Sequence, residues 1–276
     1  MLAPIPILCR GHSGGRLVCE AFIHNGIHMG KVSKERKDTE FFSIRRNQDV
    51  QEIILHAYQY QNGDGLLRAR MQELMKQLVN HFLATEVRRS GPLGWKIDPM
   101  VFTMPVVLDA FPLAKVVHVI RDGRDVMLSR LGARFNPKHF AQPVNRLMIF
   151  GDETVDSFYG EPLTPETVEK YRNELEMKHW VTSVEYGLRG RTYGDRYLEV
   201  KYEHICADPL NTFEKIFAFI GVPFQLKTRE WLKTAVTESR IAKWKTLSQE
   251  ALVRPMQIGG KLLEALRYVE CERYSS

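Results

Sequence analysis

The sequence predicts an α/β protein whose central parallel β-sheet is flanked by helices. Short apolar stretches rich in β-branched residues recur along the chain, and each is followed by turn residues and then by helical periodicity. Strands that alternate with helices in this way are typical of a parallel sheet with both faces covered. The 276 residues, of which 44% are hydrophobic and 26% charged, suffice for a large core. We therefore expect residues 1–276 to form a single domain.

The strands and helices are predicted from the spacing of apolar residues. The strands lie at residues 5–9, 93–97, 115–120 and 197–201, of which the third, with its run VVHVI, has the clearest pattern. Helices are predicted over residues 16–25, 66–89, 99–111, 165–186 and 209–220. Thr164 and Pro165 give the fourth helix an N-cap and a first-turn proline. Residues 134–163 and 239–261 lack a regular period, and a connection as long as the first is often functional, for instance a lid.

The charge balance and the cysteines limit the classes of function that the sequence allows. The chain has 39 Lys and Arg against 33 Asp and Glu, a formal net charge of +6 that suits a protein handling anionic ligands. Because no Lys/Arg-rich tract or zinc-ligand spacing occurs, we expect neither nucleic-acid binding nor a metal site. The four cysteines form no CxxC pair, which favours reduced thiols, and the early apolar run is too short for a signal peptide or membrane span. We therefore expect a cytoplasmic protein.

The stretch PIPILCRGHSGGRLVCEAF, residues 4–22, places three glycines between a predicted strand and a predicted helix. A helix N-terminus leaves N–H groups without partners and carries partial positive charge, and glycine lets the backbone curl around a ligand. The sequence therefore predicts an anion site in which the amides of residues 13–17 face a phosphate or sulfate, with His12 and Arg16 supplying charge. The alternative is a glycine-rich turn that only reverses the chain. Neither GxxxxGK[ST] nor GxGxxG is present.

A second polar element, KVVHVIRDGRDVMLSRL, covers residues 115–131. Arg121 follows a predicted strand at its carboxyl end, where ligands of open α/β sheets bind. Asp122 can cap the following helix, and Ser129 lies two turns further along the same side of that helix. Arg121 and Ser129 can therefore hold one phosphate from two directions, with Asp125 keeping an arginine in place. The alternative is a surface network of Arg–Asp ion pairs.

Together these elements resemble those of sulfotransferases that use 3′-phosphoadenosine 5′-phosphosulfate (PAPS) as the sulfate donor. RGHSGGR is similar to the family's 5′-phosphosulfate loop, and IRDGRDVMLS matches its 3′-phosphate element, R-D-x-x-D-x-x-x-S. LGWKIDP, YLEVKYEHICADPLNTFEKIFAFIGVP and RIAKWK are similar to further family elements. The resemblance implies a P-loop NTPase-like fold. It also implies sulfuryl transfer from PAPS to a hydroxyl of a small molecule, a glycan or a lipid-linked acceptor, with 3′-phosphoadenosine 5′-phosphate (PAP) as product.

The resemblance assigns the donor site residue by residue. It implies that the phosphosulfate is bound by Ser13, Gly14, Gly15, Arg16 and Leu17. It implies that Arg121 and Ser129 bind the 3′-phosphate and so distinguish this donor from a nucleotide without one. We expect Lys243 and Lys245 to close over the nucleotide and Tyr202 to line the adenine side. Lys96, near the end of a predicted strand, is expected to face the donor sulfate.

The catalytic residues are the least defined part of the resemblance. His12 stands where the family usually has Arg or Lys, and Gly15-Arg16 replaces Thr-Thr, so Arg10 and Arg16 are alternatives for the residue that contacts the bridging oxygen. An acceptor hydroxyl needs a base, which the family often places after the first helix. Asp38 and Glu35 are the favoured candidates, ahead of Glu40, Asp98, His28 and His118. The alternative is that this mixed-charge run, KVSKERKDTEFF, is a solvated loop.

Two other functions are left open by the sequence. A P-loop-like nucleotide kinase or hydrolase would need a Lys–Ser/Thr pair after the glycines and a carboxylate for magnesium, and the pair is absent. A non-catalytic protein that retains the nucleotide site is the second alternative, which His12 in place of the usual cation favours. The composition of the chain names neither the acceptor nor the oligomeric state.

Overall fold

The computed structural model describes residues 3–86, 91–131, 140, 142–236 and 241–269. The chain divides into two compact units, Met1–Ile120 with Glu185–Ser239 and Arg121–Val184 with Arg240–Ser276. The single domain expected from the sequence therefore stays a prediction. None of the described helices is both long enough and apolar enough to cross a membrane.

The elements follow one another along the chain as alternating strands and groups of helices. The strands are β1 (Ile7–Cys9), β2 (Val116–Ile120), β3 (Ser157–Phe158), β4 (Glu161–Pro162) and β5 (Tyr197–Lys201). The helices are α1 (Gly15–His24), α2 (Gln48–Leu55), α3 (Ala57–Asn62), α4 (Gly65–Glu86), α5 (Met104–Ala110), α6 (Gly123–Leu131), α7 (Pro143–Phe150), α8 (Pro165–Lys170), α9 (Arg172–Leu188), α10 (Tyr202–Ala207), α11 (Pro209–Ile220), α12 (Leu226–Ala235) and α13 (Gln249–Ala265).

The first unit contains the predicted parallel sheet. Its strands lie in the order β1-β2-β5, and both pairs are parallel, with Cys9 opposite Val119 and Val119 opposite Val200. The carboxyl ends of all three strands therefore lie along one edge of the sheet. A core of apolar side chains from α1, α11 and α12, including Phe22 and Phe217, packs against this sheet. The α/β fold with flanking helices is confirmed.

The predicted strand at residues 93–97 is only partly formed. This segment is extended and lies parallel to β1, where the N–H groups of Ile5 and Ile7 donate to the carbonyls of Leu93 and Trp95. The pairing with β1 ends at a bridge between Ile7 and Lys96, and the Lys96 N–H and carbonyl pair with Thr39 on the other side of the segment. Pro6 faces β2 and has no N–H to donate to it. The same proline shortens β1 relative to the predicted range.

The helix predictions need three corrections. Residues 134–163 are not irregular throughout, since α7 and the β3–β4 hairpin lie within them; residues 134–139 and 141, part of the expected lid, lie outside the described residues. Most of residues 239–261 belongs to α13, which Ser248 caps by accepting from the Ala251 N–H and which continues through Pro255. The predicted helix at 165–186 is two helices that meet at Tyr171, with Thr164 as the N-cap.

Candidate active site

The glycine-rich turn joins β1 to α1 in the first unit. Gly14 is the N-cap of α1 and has φ 93°, a left-handed conformation that glycine adopts without strain. His12 also has a positive φ, 69°, and its side chain is exposed. The turn is closed by a hydrogen bond from the Ser13 N–H to the Arg10 carbonyl, 3.1 Å long. The local sequence therefore builds the strand–turn–helix unit that the anion site requires.

Polar groups at the start of α1 are open to a ligand. The Leu17 N–H donates to the Gly14 carbonyl, so together with the Ser13 N–H it is already used inside the turn. Within the described ranges, no acceptor binds the N–H groups of Gly14, Gly15 and Arg16. The Ser13 hydroxyl is buried, 1% exposed, and lacks a hydrogen-bond partner in the same part of the chain. Three amides, rather than the five predicted, thus remain for an anion.

Both glycines of the turn are required by close packing. A Cβ on Gly14 would overlap the ring of Tyr202, the first residue of α10. A Cβ on Gly15 would overlap the Cys9 sulfur and lie 3.0 Å from Cε of Lys96. Tyr202 and the end of the Lys96 side chain therefore lie against the turn, and whether Lys96 faces a donor sulfate stays a prediction. Tyr202 contacts the phosphosulfate side of the predicted site, and whether it also lines an adenine stays a prediction.

Lys96 forms the charged centre of the first unit. Its Nζ lies 2.6 Å from Asp38 Oδ1 and 3.2 Å from Asp98 Oδ1, and the lysine side chain is only 6% exposed. The Arg36 carbonyl accepts a third, longer hydrogen bond from Nζ, at 3.4 Å. One buried ammonium is thus shared by two carboxylates beside the glycine turn.

Asp38 is positioned by the backbone around Thr39. The Thr39 N–H donates to the Lys96 carbonyl, and the Lys96 N–H donates to Oγ1 of Thr39, at 2.7 and 3.1 Å. Before it, the Asp38 N–H donates to Oγ of Ser33, which closes a tight turn. That turn rests on the first turns of α1, because Cys19 donates to the Lys37 carbonyl. The mixed-charge loop is therefore fixed where it holds Asp38.

The charges of this cluster shift its pKa values. Burial, and then the neighbouring Asp98 carboxylate, raise the pKa of Asp38 above its ordinary value, although Lys96 opposes them. Burial disfavours the Lys96 ammonium, but Asp98 and Asp38 outweigh it and raise the pKa of Lys96. Burial also raises the pKa of the Cys9 thiol, which therefore stays neutral. The cluster at neutral pH holds a positive lysine and a carboxylate that accepts protons more readily than an exposed aspartate.

Other residues predicted in this region lie around the turn. Arg16 is exposed and donates from Nη1 to the Glu35 carbonyl at 3.4 Å. The Glu35 side chain is exposed, so the structure brings Asp38, rather than Glu35, to the lysine. His118 is buried in β2 with Nδ1 2.6 Å from the Tyr197 hydroxyl, and burial lowers its pKa to about 3. His118 is therefore structural.

The second unit carries the element that begins with Arg121. Arg121 Nη2 lies 3.3 Å from Asp125 Oδ2, and both side chains are buried. The carboxylate of Asp125 also accepts from the N–H groups of Ala242 and Trp244, at 2.8 and 2.9 Å. The Trp180 Nε1–H donates to the Arg121 carbonyl, 3.0 Å away. Asp125 thus holds Arg121, as predicted, and ties it to the segment around Trp244.

Asp122 and Arg124 form the start of α6. Asp122 Oδ1 accepts from the Arg124 N–H, which confirms the predicted cap, and its carboxylate holds the guanidinium at 2.7 and 3.0 Å. That guanidinium stacks on the Trp244 ring, 3.6 Å from its centroid. Lys243 and Lys245 flank Trp244 and are exposed, while Ser129 is half-buried near the end of α6. These Arg–Asp pairs are therefore buried, unlike the surface network that was the alternative, and they fix Arg121 and residues 242–244.

The sequence did not indicate that Asp98 shares the Lys96 ammonium or that Trp244 packs against Arg124. Lys96 and Asp98 are two residues apart on an extended segment, so their side chains project to the same side, a signal present in LGWKIDP. Trp244 lies between the two predicted lysines, but nothing local indicates that an arginine from α6 stacks on it. Among the described residues, no group of three His, Cys, Asp or Glu side chains could hold a metal ion.

The chain is similar in sequence to known sulfotransferases. A profile of the sulfotransferase family matches residues 24–226, well over half of the chain. Carbohydrate sulfotransferase 3 from Mus musculus is 26% identical over 52% of this chain and 28% of its own length. The Homo sapiens protein of the same name is 27% identical over 56% and 31%. The chain therefore spans less than a third of the curated relatives it matches.

Solved structures resemble the whole chain. A sulfotransferase domain from the curacin biosynthetic pathway has a TM-score of 0.53 at 14% identity, covering 95% of this chain and 98% of that one. A sulfotransferase from Mycobacterium avium has a TM-score of 0.53 at 13% identity, covering 96% and 77%. These likenesses concern the fold. The chain belongs to the sulfotransferase family.

Proposed function

We propose that this protein transfers a sulfuryl group from PAPS to a hydroxyl of a glycan or small-molecule acceptor. The observation that carries the proposal is the buried Lys96–Asp38 pair, 2.6 Å between Nζ and Oδ1, against the glycine turn that begins α1. This pair places a cation and a carboxylate of raised pKa at the turn predicted to bind the donor.

Three features of the turn support a fit to the phosphosulfate end of PAPS. The N–H groups of Gly14, Gly15 and Arg16 are at a helix N-terminus, where the peptide dipoles favour an anion. The buried Ser13 hydroxyl has no hydrogen-bond partner among the described residues, and leaving a buried hydroxyl unpaired costs about 1–3 kcal/mol. Because both positions are glycine, the backbone of the turn can approach the Tyr202 ring and the Lys96 side chain closely. PAPS supplies the sulfuryl group when it is bound.

The 3′-phosphate is assigned to Arg121 and Ser129 of the second unit. This assignment rests on the match of IRDGRDVMLS to the family element and on the rigid setting of Arg121, held by Asp125 and Trp180. A guanidinium gives a phosphate two parallel charged hydrogen bonds, and a hydroxyl adds a third. Lys243 and Lys245 lie next to the Asp125-bound segment, which suits a role over the nucleotide.

The chain's own residues divide the chemical work. Asp38 takes the proton from the acceptor hydroxyl while that oxygen bonds to sulfur and the bond from sulfur to the 5′-phosphate oxygen breaks. Lys96, the three open amides and Arg16 or His12 stabilise the negative charge that grows on the leaving phosphate. Held in fixed geometry, these groups need no reorganisation during transfer. The products are the sulfated acceptor and PAP.

The names of the relatives and the state of the cysteines support the proposed acceptor class and location. The curated relatives are named carbohydrate sulfotransferases, which favours a glycan, although they share only part of their length with this chain. The thiols of Cys9 and Cys19 form no disulfide and are buried, which suits a reducing compartment such as the cytoplasm.

The test combines ligand binding with transfer. PAP should raise the melting temperature more than ATP with magnesium does, because only ligands bound to the native state stabilise it. Labelled sulfate from PAPS should then appear on at least one of a panel of sugar and small-molecule hydroxyls. A larger stabilisation by ATP with magnesium would indicate a kinase-like protein. PAP binding without transfer to any acceptor would indicate a non-catalytic binder.

A further inference from the structure

The second unit contains a cavity that the proposed transfer site does not use. It has a volume of about 640 Å³ and lies between the α8–α9 junction and the first half of α13. This volume is within the range of small-molecule sites. Its walls include Asn173, Glu174, Ala251 and Arg254, and none of its lining residues belongs to the site described above.

Two hydrogen-bond acceptors at this cavity, the Glu174 carboxylate and the Ala251 carbonyl, lack their usual donors, although the lining also contains Lys and Arg side chains. Glu174 is only 8% exposed, and its nearest cation, Arg254 Nη1, lies 3.8 Å away, beyond hydrogen-bond distance. No residue in the described ranges donates a hydrogen bond to the Glu174 carboxylate. Pro255 has no N–H, so the Ala251 carbonyl lacks the donor that the next helical turn would supply. A ligand that brings several donors would satisfy these groups.

An exposed aromatic ring stands beside the cavity. Tyr159 and Gly160 form the turn of the β3–β4 hairpin with φ 50° and 78°, a pair of positive values typical of Asn-Gly. Tyrosine is disfavoured there, and residues held in such conformations cluster at functional sites. The Tyr159 ring is 52% exposed, 5.1 Å from the Tyr171 ring and 6.0 Å from the Arg254 guanidinium. Burial and the Glu174 carboxylate raise the pKa of Tyr159, so the phenol stays neutral.

The charges of the lining select a neutral ligand. Three basic residues and three acidic residues line the cavity: Lys170, Arg172 and Arg254, and Glu169, Glu174 and Glu250. An anion would meet the buried Glu174 carboxylate, and a cation would meet the three bases. A neutral molecule with adjacent hydroxyls both donates to a carboxylate and accepts from a guanidinium.

We propose that this cavity binds a neutral saccharide, whose C–H face packs on Tyr159 and whose hydroxyls donate to Glu174 and accept from Arg254. An aromatic face offers such a ring a flat apolar surface, and the polar groups fix its orientation. The inference does not depend on sulfuryl transfer.

Titration calorimetry of the full chain tests this site. The probes are cellotetraose, maltotetraose and N-acetylchitotetraose, with a chondroitin sulfate tetrasaccharide as the anionic comparison. The variants are Tyr159→Asn, Glu174→Gln and, as a matched control, Leu66→Ala, which removes an exposed apolar side chain from the first unit. Asparagine suits a positive φ, so Tyr159→Asn keeps the fold even if Glu174→Gln does not.

We expect saturable binding of at least one neutral tetrasaccharide, weakened about tenfold or more in both site variants and unchanged in the control. Three results would overturn the inference: no saturable binding of any neutral probe up to about 10 mM, an affinity that a folded site variant leaves unchanged, or tighter binding of the anionic probe. PAP binding in the same preparations reports separately on the proposed transfer site.

Discussion

Replacing Lys96 by methionine tests the charged centre of the first unit. The change keeps the length of the side chain and removes the ammonium that Asp38 and Asp98 share at 2.6 and 3.2 Å. The side chains of Lys96, Asp38 and Asp98 are 6%, 19% and 28% exposed. Water can therefore solvate the two carboxylates only in part once the ammonium is removed. Removing one partner of a buried pair costs about 3–5 kcal/mol.

That magnitude is measurable by urea and thermal unfolding. At about 2–4 °C per kcal/mol for a chain of this size, the melting temperature should fall by roughly 6–20 °C. Lys261→Met, which removes an exposed lysine from α13, is the matched control and should change little. The double variant Lys96→Met/Asp38→Asn lacks one of the two carboxylates that Lys96→Met leaves without a cation. Its loss of unfolding free energy should therefore be about 1–3 kcal/mol smaller than the sum of the losses in the two single variants.

The pH dependence follows from the direction of the two shifts. The folded pKa of Lys96 lies above its ordinary 10.5, so its stabilisation is complete below that value and is lost only as the pH rises through the folded pKa. The penalty of Lys96→Met should therefore be constant between about pH 7 and 9. This penalty should shrink in acid, because the folded pKa of Asp38 is raised above 3.8 and its carboxylate is protonated at a higher pH than that of an exposed aspartate. A penalty under about 1 kcal/mol at neutral pH would refute the account of a shared buried ammonium.

Three further predictions concern the donor and the reaction. Asp38→Asn should leave the affinity for PAP unchanged and lower kcat about 10²–10⁴-fold, and an unchanged kcat would place the base elsewhere. Arg121→Ala should weaken PAP binding about 10–100-fold and Ser129→Ala less, by calorimetry, while Lys261→Ala has no effect; equal affinity in Arg121→Ala would remove that residue from the site. Gly14→Ala, at φ 93° and against Tyr202, should lose at least about 1–2 kcal/mol of unfolding free energy and weaken PAP binding. A Gly14→Ala variant as stable as the wild type would show that the turn adjusts to accommodate the added methyl group.

The sheet and the strand–turn–helix unit were predictable because their signals are local. VVHVI forms a strand wherever a core covers it, and the glycines followed by apolar spacing predict the start of α1. Residues 93–97 form only part of the predicted strand, because they pair with β1 on one side while the Lys96 N–H and carbonyl pair with Thr39 on the other. Those partners come from distant parts of the chain, so the apolar run alone predicts a complete strand.

The residues of the charged site could be predicted from the sequence, but the ion pair between them could not. Asp38 and Lys96 were each proposed from the sequence, but they are 58 residues apart, and hydrogen bonds between Thr39 and Lys96 help to bring them together. The β3–β4 hairpin was missed because its turn has tyrosine where a sequence signal would be asparagine. Helix α13 was missed because Pro255 and two glycines hide its period, and packing of Gly259 against Met177 compensates for them.

The central claim is that the protein recognises both the 5′-phosphate and the 3′-phosphate of its nucleotide, and comparing adenosine 3′,5′-bisphosphate with adenosine 5′-monophosphate tests it most directly. Calorimetric titration of the wild-type chain should show about 10–100-fold tighter binding of the bisphosphate. Arg121→Ala should remove that preference, and Ser13→Ala should weaken both ligands alike. Equal affinities of the wild-type chain for the two nucleotides would contradict the account.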